Sequence, residues 1–330
     1  WGTAGLGQAL QRAIAAYGGT AGNFAVFTYM DTAKVKYEKA FAIPISHYRR
    51  HMRDNGLDDS VDAMLADSVF RADPAERERR LASLREAIQA APIDSAFWNL
   101  LNAKLDGKFP GVERFRFVSS SNAEGLDGFT GAGLYESRTG GRGGPSQSIR
   151  KALAGVWSGL WTFNAFEERS IRDIDHKTVG MGVMVQEERN GAEAEGAAIT
   201  VNPYDPPGYQ PGFYVNVRAG EAPGSRPVLK GAMDQYIYHY TMTGQPIIML
   251  SRADTSSTGA TVLTAAQSNA LGTALLVIFD FFQSVYGERS QDGYGMGAEF
   301  KLARLAGEAP GAKPVIIMKK VSPYRGWGRW

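Results

Sequence analysis

The sequence contains no cysteine and only four histidines. The first absence excludes disulfides, thiolate nucleophiles and cysteine-ligated metals; it says little about compartment, since cytosolic and exported chains alike can lack the residue. The scarcity of histidine argues against an imidazole-rich metal centre. His47 and His51 are spaced i, i+4, a geometry that can grip a metal, but no third ligand stands beside them and the pair reads as a surface feature of a helix. His176 and His239 are far from both. Long apolar runs are missing too: no window holds ~18 uninterrupted apolar residues, the length a spanning helix needs. The best stretch, residues 265–286, is interrupted by Gln267, Ser268, Asn269, Asp280 and Gln283, so no membrane span is expected. An excess of one charge is also absent. With 36 Lys+Arg against 34 Asp+Glu the net charge is +2, too little for a polyanion-binding field, and nucleic acid is not an expected partner. The one basic cluster, Arg77 to Arg80, is interleaved with Glu76 and Glu78 and reads as a solvated helix face. No Ser-His-Asp arrangement is visible. Trp1 in place of a methionine leaves room for a leader or tag ahead of it, and the compartment stays open.

What is present is ordinary globular composition, 44% hydrophobic and 21% charged over 330 residues, enough for one large domain or two lobes. Helical spacing runs through residues 6–16 and stops at Gly18-Gly19. Residues 56–108 are charge-rich and helical, with Pro74 at a helix start and Leu81, Leu84 and Ile88 at three- and four-residue intervals. Residues 149–169 read as a buried helix rich in tryptophan and alanine, and 264–287 as one long helix. Strand patterns begin at 41–46 and recur at 182–186, 196–203, 213–217, 296–305 and 314–320, separated by turn residues such as Asp205-Pro206-Pro207-Gly208. Thr139-Gly140-Gly141-Arg142-Gly143-Gly144-Pro145 reads as a mobile surface connection.

The organising stretch is residues 115–137. Phe115 and Phe117 alternate with Arg114, Arg116 and Val118, a period of two that puts successive side chains on opposite faces of a strand. The pattern then gives way to Ser119, Ser120, Ser121, Asn122 and Glu124 among the glycines 125, 128, 131 and 133. These are groups that can donate to oxyanions, on a backbone that can approach a ligand closely.

Here Val118-Ser119-Ser120-Ser121-Asn122-Ala123-Glu124-Gly125-Leu126 and Gly131-Ala132-Gly133-Leu134-Tyr135-Glu136-Ser137 resemble the nucleotide-binding domain of pyruvate phosphate dikinase and phosphoenolpyruvate synthase, an ATP-grasp fold. The same family is resembled by Gly18-Gly19-Thr20-Ala21-Gly22-Asn23-Phe24, by Phe41 to Tyr48, by Val156 to Arg169, and by the strand segments ending at Gln186, Pro203 and Glu221. The resemblance implies an α+β, ATP-grasp-like protein. Its helix-rich N-terminal lobe, residues 1–177, would pack on a mostly antiparallel sheet lobe, residues 178–330. It further implies a cytoplasmic setting, although export is not excluded.

By the same resemblance the nucleotide-contacting positions are Thr20, Arg116, Ser119, Ser120, Asn122, Glu124, Gln186, Glu299 and Lys320, with Glu299 the one surviving candidate for catalysis and for metal. The family's lysine, two arginines, an aspartate and a glutamine-arginine pair are replaced here by Thr20, Val118, Asn164, Gly297, Lys320 and Ser322. An uncharged side chain at such a position forms no ion pair with phosphate. The expectation is therefore a degenerate domain, a pseudoenzyme serving as a binding, regulatory or assembly module. The alternative is an active ATP-dependent phosphotransferase using ATP and Mg2+, in which Arg116, Lys319, Lys320 or Arg325 replaces a lost cation. The glycine-spaced Tyr324-Arg325-Gly326-Trp327-Gly328-Arg329-Trp330 tail is the candidate surface for a protein partner or self-association, or else a cover for a hydrophobic edge of its own domain.

Overall fold

A computed structural model describes residues 3–124, 129, 131, 133–143, 148–189, 191–205, 210–220, 233–242, 244–253, 261–286, 294–309 and 311–325. Helices α1 (Thr3–Tyr17), α2 (Gly19–Ala25), α3 (Ile45–Asp54), α4 (Leu57–Ala66), α5 (Ser68–Ala72) and α6 (Pro74–Ala90) come first. They are followed by α7 (Ser95–Lys108), α8 (Ile149–Ser158), α9 (Phe163–Ile171) and α10 (Ala265–Tyr286). The strands are β1 (Ala40–Ile43), β2 (Arg114–Ser121), β3 (Arg138–Gly141), β4 (Met181–Glu187), β5 (Ala194–Ile199), β6 (Phe213–Ala219), β7 (Asp234–Tyr238), β8 (Ile247–Ser251), β9 (Tyr294–Ala303) and β10 (Val315–Arg325). The protein is α+β, and every strand pair within its two sheets is antiparallel.

The chain divides into two compact units. Residues 12–22 and 39–188 form one; residues 1–11, 23–38 and 189–330 form the other. The sequence places 182–186 with the C-terminal sheet, but β4 pairs with β1 and β2 in a four-stranded sheet of order β1-β4-β2-β3. The first unit accordingly runs to Glu188.

In this first unit Phe115, Phe117, Val183 and Val185 are fully buried on one face of the sheet, within one core that also contains Leu153 and Trp157 of α8. Gly140 of β3 permits close packing, since a Cβ there would lie 2.8 Å from that of Ala152. Helix starts are fixed by short polar caps. Asp73 accepts from the Ala75 amide ahead of Pro74, Asp94 from Phe97, Ser148 from Lys151 and Thr162 from Ala165. The Thr162 cap ends the single helix expected over 149–169. α8 stops at Ser158, a short 3-10 turn follows, and α9 starts afresh at Phe163.

Nor are Arg77 and Arg80 a solvated face. Arg77 lies 2.6 Å from Glu167 and also donates to the Phe70 and Arg71 carbonyls, while Arg80 pairs with Asp67 at 2.7 Å; only Arg79, paired with Glu76, matches the surface reading. Residues 138–141 of the expected glycine loop are strand β3, and Arg142 pairs with Asp106. Gly144 and Pro145 are outside the described residues, as are Pro206, Pro207, Gly208 and Glu221.

The second unit carries a six-stranded sheet of order β10-β9-β5-β6-β7-β8. Met296, Ala298, Phe300 and Leu302 of β9 are buried on the face that α10 covers. By length and a mean hydropathy of 1.3 over Ala265–Val285, α10 could cross a membrane, yet its Leu271, Leu275 and Ile278 are fully buried, as on a core helix. Residues 23–38, which carry an aromatic cluster of Phe24, Phe27 and Tyr37, join this unit through a Met318 amide bonded to the Lys36 carbonyl and a Glu38–Lys301 ion pair at 3.0 Å.

Side-chain exposures of 10% and 8% make that ion pair nearly dry. Removing one member of a buried pair strands the other charge, at a cost of about 3–5 kcal/mol, whereas an apolar replacement of both is close to neutral. Glu38→Ala is expected to lower the unfolding free energy from urea titration by that amount, and the Glu38→Leu/Lys301→Met double variant to recover most of it.

Candidate functional site

The glycines at the α1–α2 junction determine the geometry around the serine-rich end of β2. Gly18 has φ +87°, and a Cβ on it would fall 1.9 Å from the Ser120 carbonyl oxygen. One on Gly19 would fall 2.6 Å from the Glu124 carbonyl oxygen. Only glycine allows this backbone-on-backbone approach.

It brings Thr20, Ser120 and Glu124 together, and they satisfy one another. The Thr20 hydroxyl donates to Glu124 Oε2 at 2.6 Å, and the Ser121 amide donates to Oε1 at 3.2 Å. Ser120 Oγ accepts from the Ala21 amide at 2.9 Å, and Ser121 Oγ accepts from the Ala123 amide at 3.1 Å. Thr20, Ser120 and Ser121 are fully buried, and Glu124 and Ser119 nearly so.

The neighbouring candidates are similarly engaged. Ser119 donates to the Tyr135 carbonyl, and Asn122 bridges both ways, donating to the Thr178 carbonyl and accepting from the Gly180 amide. Arg116 stands opposite Gln186 across the β2–β4 pair and donates to Thr139 Oγ1. Every polar side chain within residues 119–124 thus has a partner in the protein, as buried polar groups require. Gly125, Leu126, Gly128 and Ala132 are outside the described residues.

A second cluster, not expected as a site, stands behind this one. Arg169 is fully buried and donates to the Tyr135 hydroxyl, the Leu160 carbonyl and His176 Nδ1. Tyr135 and Arg169 both lie in the quoted sequence matches, but nothing local in the sequence shows that they meet. His176 stacks on Phe166 at 3.9 Å. Burial, reinforced by the Arg169 charge, pushes its pKa down to about 4.

Glu299 and Lys320 belong to the second unit. They face each other across the β9–β10 pair, beside a bulge at Lys319, and on its other side Glu299 faces Ala197 of β5. Glu299 is exposed. Gly297, the position two residues before it, has room for a side chain: a Cβ would meet Ser322 Oγ at an ordinary 3.7 Å. Among the described residues no group of three or more His, Asp or Glu could hold a metal. Gly326 to Trp330 of the expected interaction tail are outside the described residues, while Tyr324 and Arg325 end β10.

Residues 15–228 match the family described as pyruvate phosphate dikinase, AMP/ATP-binding domain. The chain belongs to this family. The phosphoenolpyruvate synthase of Aeropyrum pernix is 25% identical over 181 residues, which are 53% of this chain and 21% of that protein. The chain thus matches only a fraction of the length of that curated relative. The family match takes in Thr20, the 115–137 stretch and Gln186, and stops short of Glu299 and Lys320.

The junction glycine yields a direct comparison. Gly18→Ala is expected to destabilise the protein well beyond the about 1–2 kcal/mol of left-handed backbone strain. Gly56→Ala, at φ +67° with nothing within 4 Å, incurs that strain alone; urea midpoints of the two variants measure the difference.

His176 supplies a pH dependence. Its folded pKa lies below the ordinary 6.5, so between about 4 and 6.5 the unfolded chain binds the extra proton. The contribution is complete above pH 6.5 and is lost as pH falls toward 4. His176→Phe is expected to flatten the acid side of the stability profile in that window, read as melting temperature against pH.

Proposed function

We propose that this chain is an ATP-grasp domain that keeps the family's framework without its phosphoryl transfer, and that it serves as a binding, regulatory or assembly module. The observation that carries the reading is the Thr20 hydroxyl held 2.6 Å from Glu124 in a fully buried position. At the place where the resemblance implies a lysine reaching for nucleotide, the side chain is short and bonded inward.

The far end of the domain supports the same reading. A magnesium ion between phosphates needs oxygen ligands, usually more than one carboxylate or a carboxylate with substrate. Glu299 has Lys320 and Ala197 as its cross-strand neighbours and Gly297 in place of the implied acid. Packing does not demand that glycine, so its presence reflects no steric requirement of the fold. These residues do not fit a magnesium site.

The competing reading, an active phosphotransferase with substitute cations, draws on Arg116, Lys319, Lys320 and Arg325. Lys319 is engaged by Glu195 at 2.9 Å, Arg116 by Thr139, and Lys320 stands opposite Glu299. The activity, substrates and partners of a full-length phosphoenolpyruvate synthase are not carried over to a chain that matches so little of one.

Two lost charge-assisted contacts at about 1.5–3 kcal/mol each weaken nucleotide binding by roughly two to four orders of magnitude. Calorimetric titration with ATP and magnesium is expected to give no saturable heat in the micromolar range. Micromolar, magnesium-dependent binding would overturn the proposal and favour the active enzyme.

A further inference from the structure

The six-stranded sheet of the second unit has two edges, and they are protected very differently. A free edge presents a row of unpaired N–H and C=O groups to which another strand can add, and proteins blunt such edges with charge, proline, bulges or a covering segment. β10 has all of these. Lys319 and Lys320 lie on it at a bulge, Pro323 removes a donor, and Tyr37 bridges to Met318, whose amide bonds to the Lys36 carbonyl.

β8, at the opposite edge, shares only a bulge, at Leu250. Its sequence, Ile247-Ile248-Met249-Leu250-Ser251, contains no charge and no proline. Among the described residues no strand pairs with its outer side. Ile248 and Leu250 are 44% and 43% exposed there.

One hydrogen bond sets the direction of the backbone groups along β8. The Pro246 carbonyl accepts from the amide of His239, the residue that follows β7, so it points inward. Backbone groups alternate along an antiparallel strand. Ile248, opposite Ile237 of β7, therefore points inward as well, while Ile247 and Met249 direct their N–H and C=O away from the sheet. The bulge comes after Met249 and leaves this alternation intact.

Such an edge is complementary to itself. With a second β8 laid antiparallel against the first so that the two Ile248 residues stand opposite, Ile247 of each copy faces Met249 of the other, and the pairs exchange four backbone hydrogen bonds. Ile248 meets Ile248 on the axis as an apolar, non-hydrogen-bonded pair, the closer kind. No ionisable side chain of β8 is brought against its own copy. The geometry points to a two-fold dimer of this chain in which the β8 strands join two sheets edge to edge. So short a strand contact lies below the roughly 1,200 Å² of a standard interface, and the dimer is weak and reversible. It uses no residue of the serine-rich loop and stands whatever the outcome of the nucleotide titration.

The absence of cysteine from the chain makes the pairing directly testable. Opposed residues of a non-hydrogen-bonded pair lie about 4.5 Å apart at Cα, within the roughly 4.4–6.8 Å that a disulfide spans. In the intact chain under air oxidation, Ile248→Cys is expected to give a disulfide-linked dimer at least about tenfold faster than Ile171→Cys. Ile171, 74% exposed in the first unit, reports random collision. Sedimentation equilibrium of the unsubstituted chain is expected to show a concentration-dependent dimer. Ile248→Lys, which opposes two ammonium groups on the axis, should weaken it at least about tenfold without lowering the melting temperature. Equal cross-linking rates of the two cysteine variants would overturn the proposal. An unsubstituted chain that stays monomeric up to about 1 mM would overturn it too, leaving the edge to a strand from a different protein, and needs no variant to fold.

Discussion

Much of the first unit depends on one backbone contact, the approach of Gly18 and Gly19 to the carbonyls of Ser120 and Glu124. Because no Cβ intervenes, the start of α2 lies directly against the end of β2, and Thr20 comes within 2.6 Å of the Glu124 carboxylate. That carboxylate then bridges Thr20 to the Ser121 amide, while Asn122 ties the same turn to Gly180, the residue that leads into β4. A similar approach recurs there, since a Cβ on Gly182 would fall 2.3 Å from the Tyr17 carbonyl oxygen. A helix junction, a strand end and the entry to the neighbouring strand are thus fixed by glycines and by buried hydrogen bonds.

Where local chemistry decides the outcome, the fold was legible in the sequence. The alternation of Phe115 and Phe117 with Arg114, Arg116 and Val118 forms β2, the Gly18-Gly19 stop ends α1, and Pro74 opens α6. Where long-range pairing decides, it was not. β4 has the pattern of any buried strand, and nothing within it states that its partners are β1 and β2 rather than the C-terminal strands. The break between α8 and α9 did have a local signal, Thr162 as a cap, but the tryptophans and alanines around it favoured a continuous helix.

The candidate site was half legible. Thr20, Ser120 and Glu124 do meet, yet a run of hydroxyls and a carboxylate looks the same in sequence whether it faces a phosphate or its own helix. Burial separates the two, and burial is a tertiary property. The same limit applies to Arg77, which pairs with Glu167 on α9, and to His51, which faces inward toward the end of α6. Membership of the AMP/ATP-binding family rests on the matched span of residues 15–228. Within and beyond that span, the resemblance implies charged residues at the positions that here hold Thr20, Val118, Asn164 and Gly297.

The central claim is that the hydrogen bonds at the α1–α2 junction are closed upon themselves and not available to nucleotide. Hydrogen–deuterium exchange at the Ala21 and Ser121 amides measures this directly. Each donates to a buried side chain, to Ser120 Oγ and to Glu124 respectively. The account predicts slow exchange at both amides and the same rates when ATP and magnesium are added. Fast exchange in the free protein that becomes protected on adding nucleotide would contradict it, because the loop would then be open and waiting for phosphate.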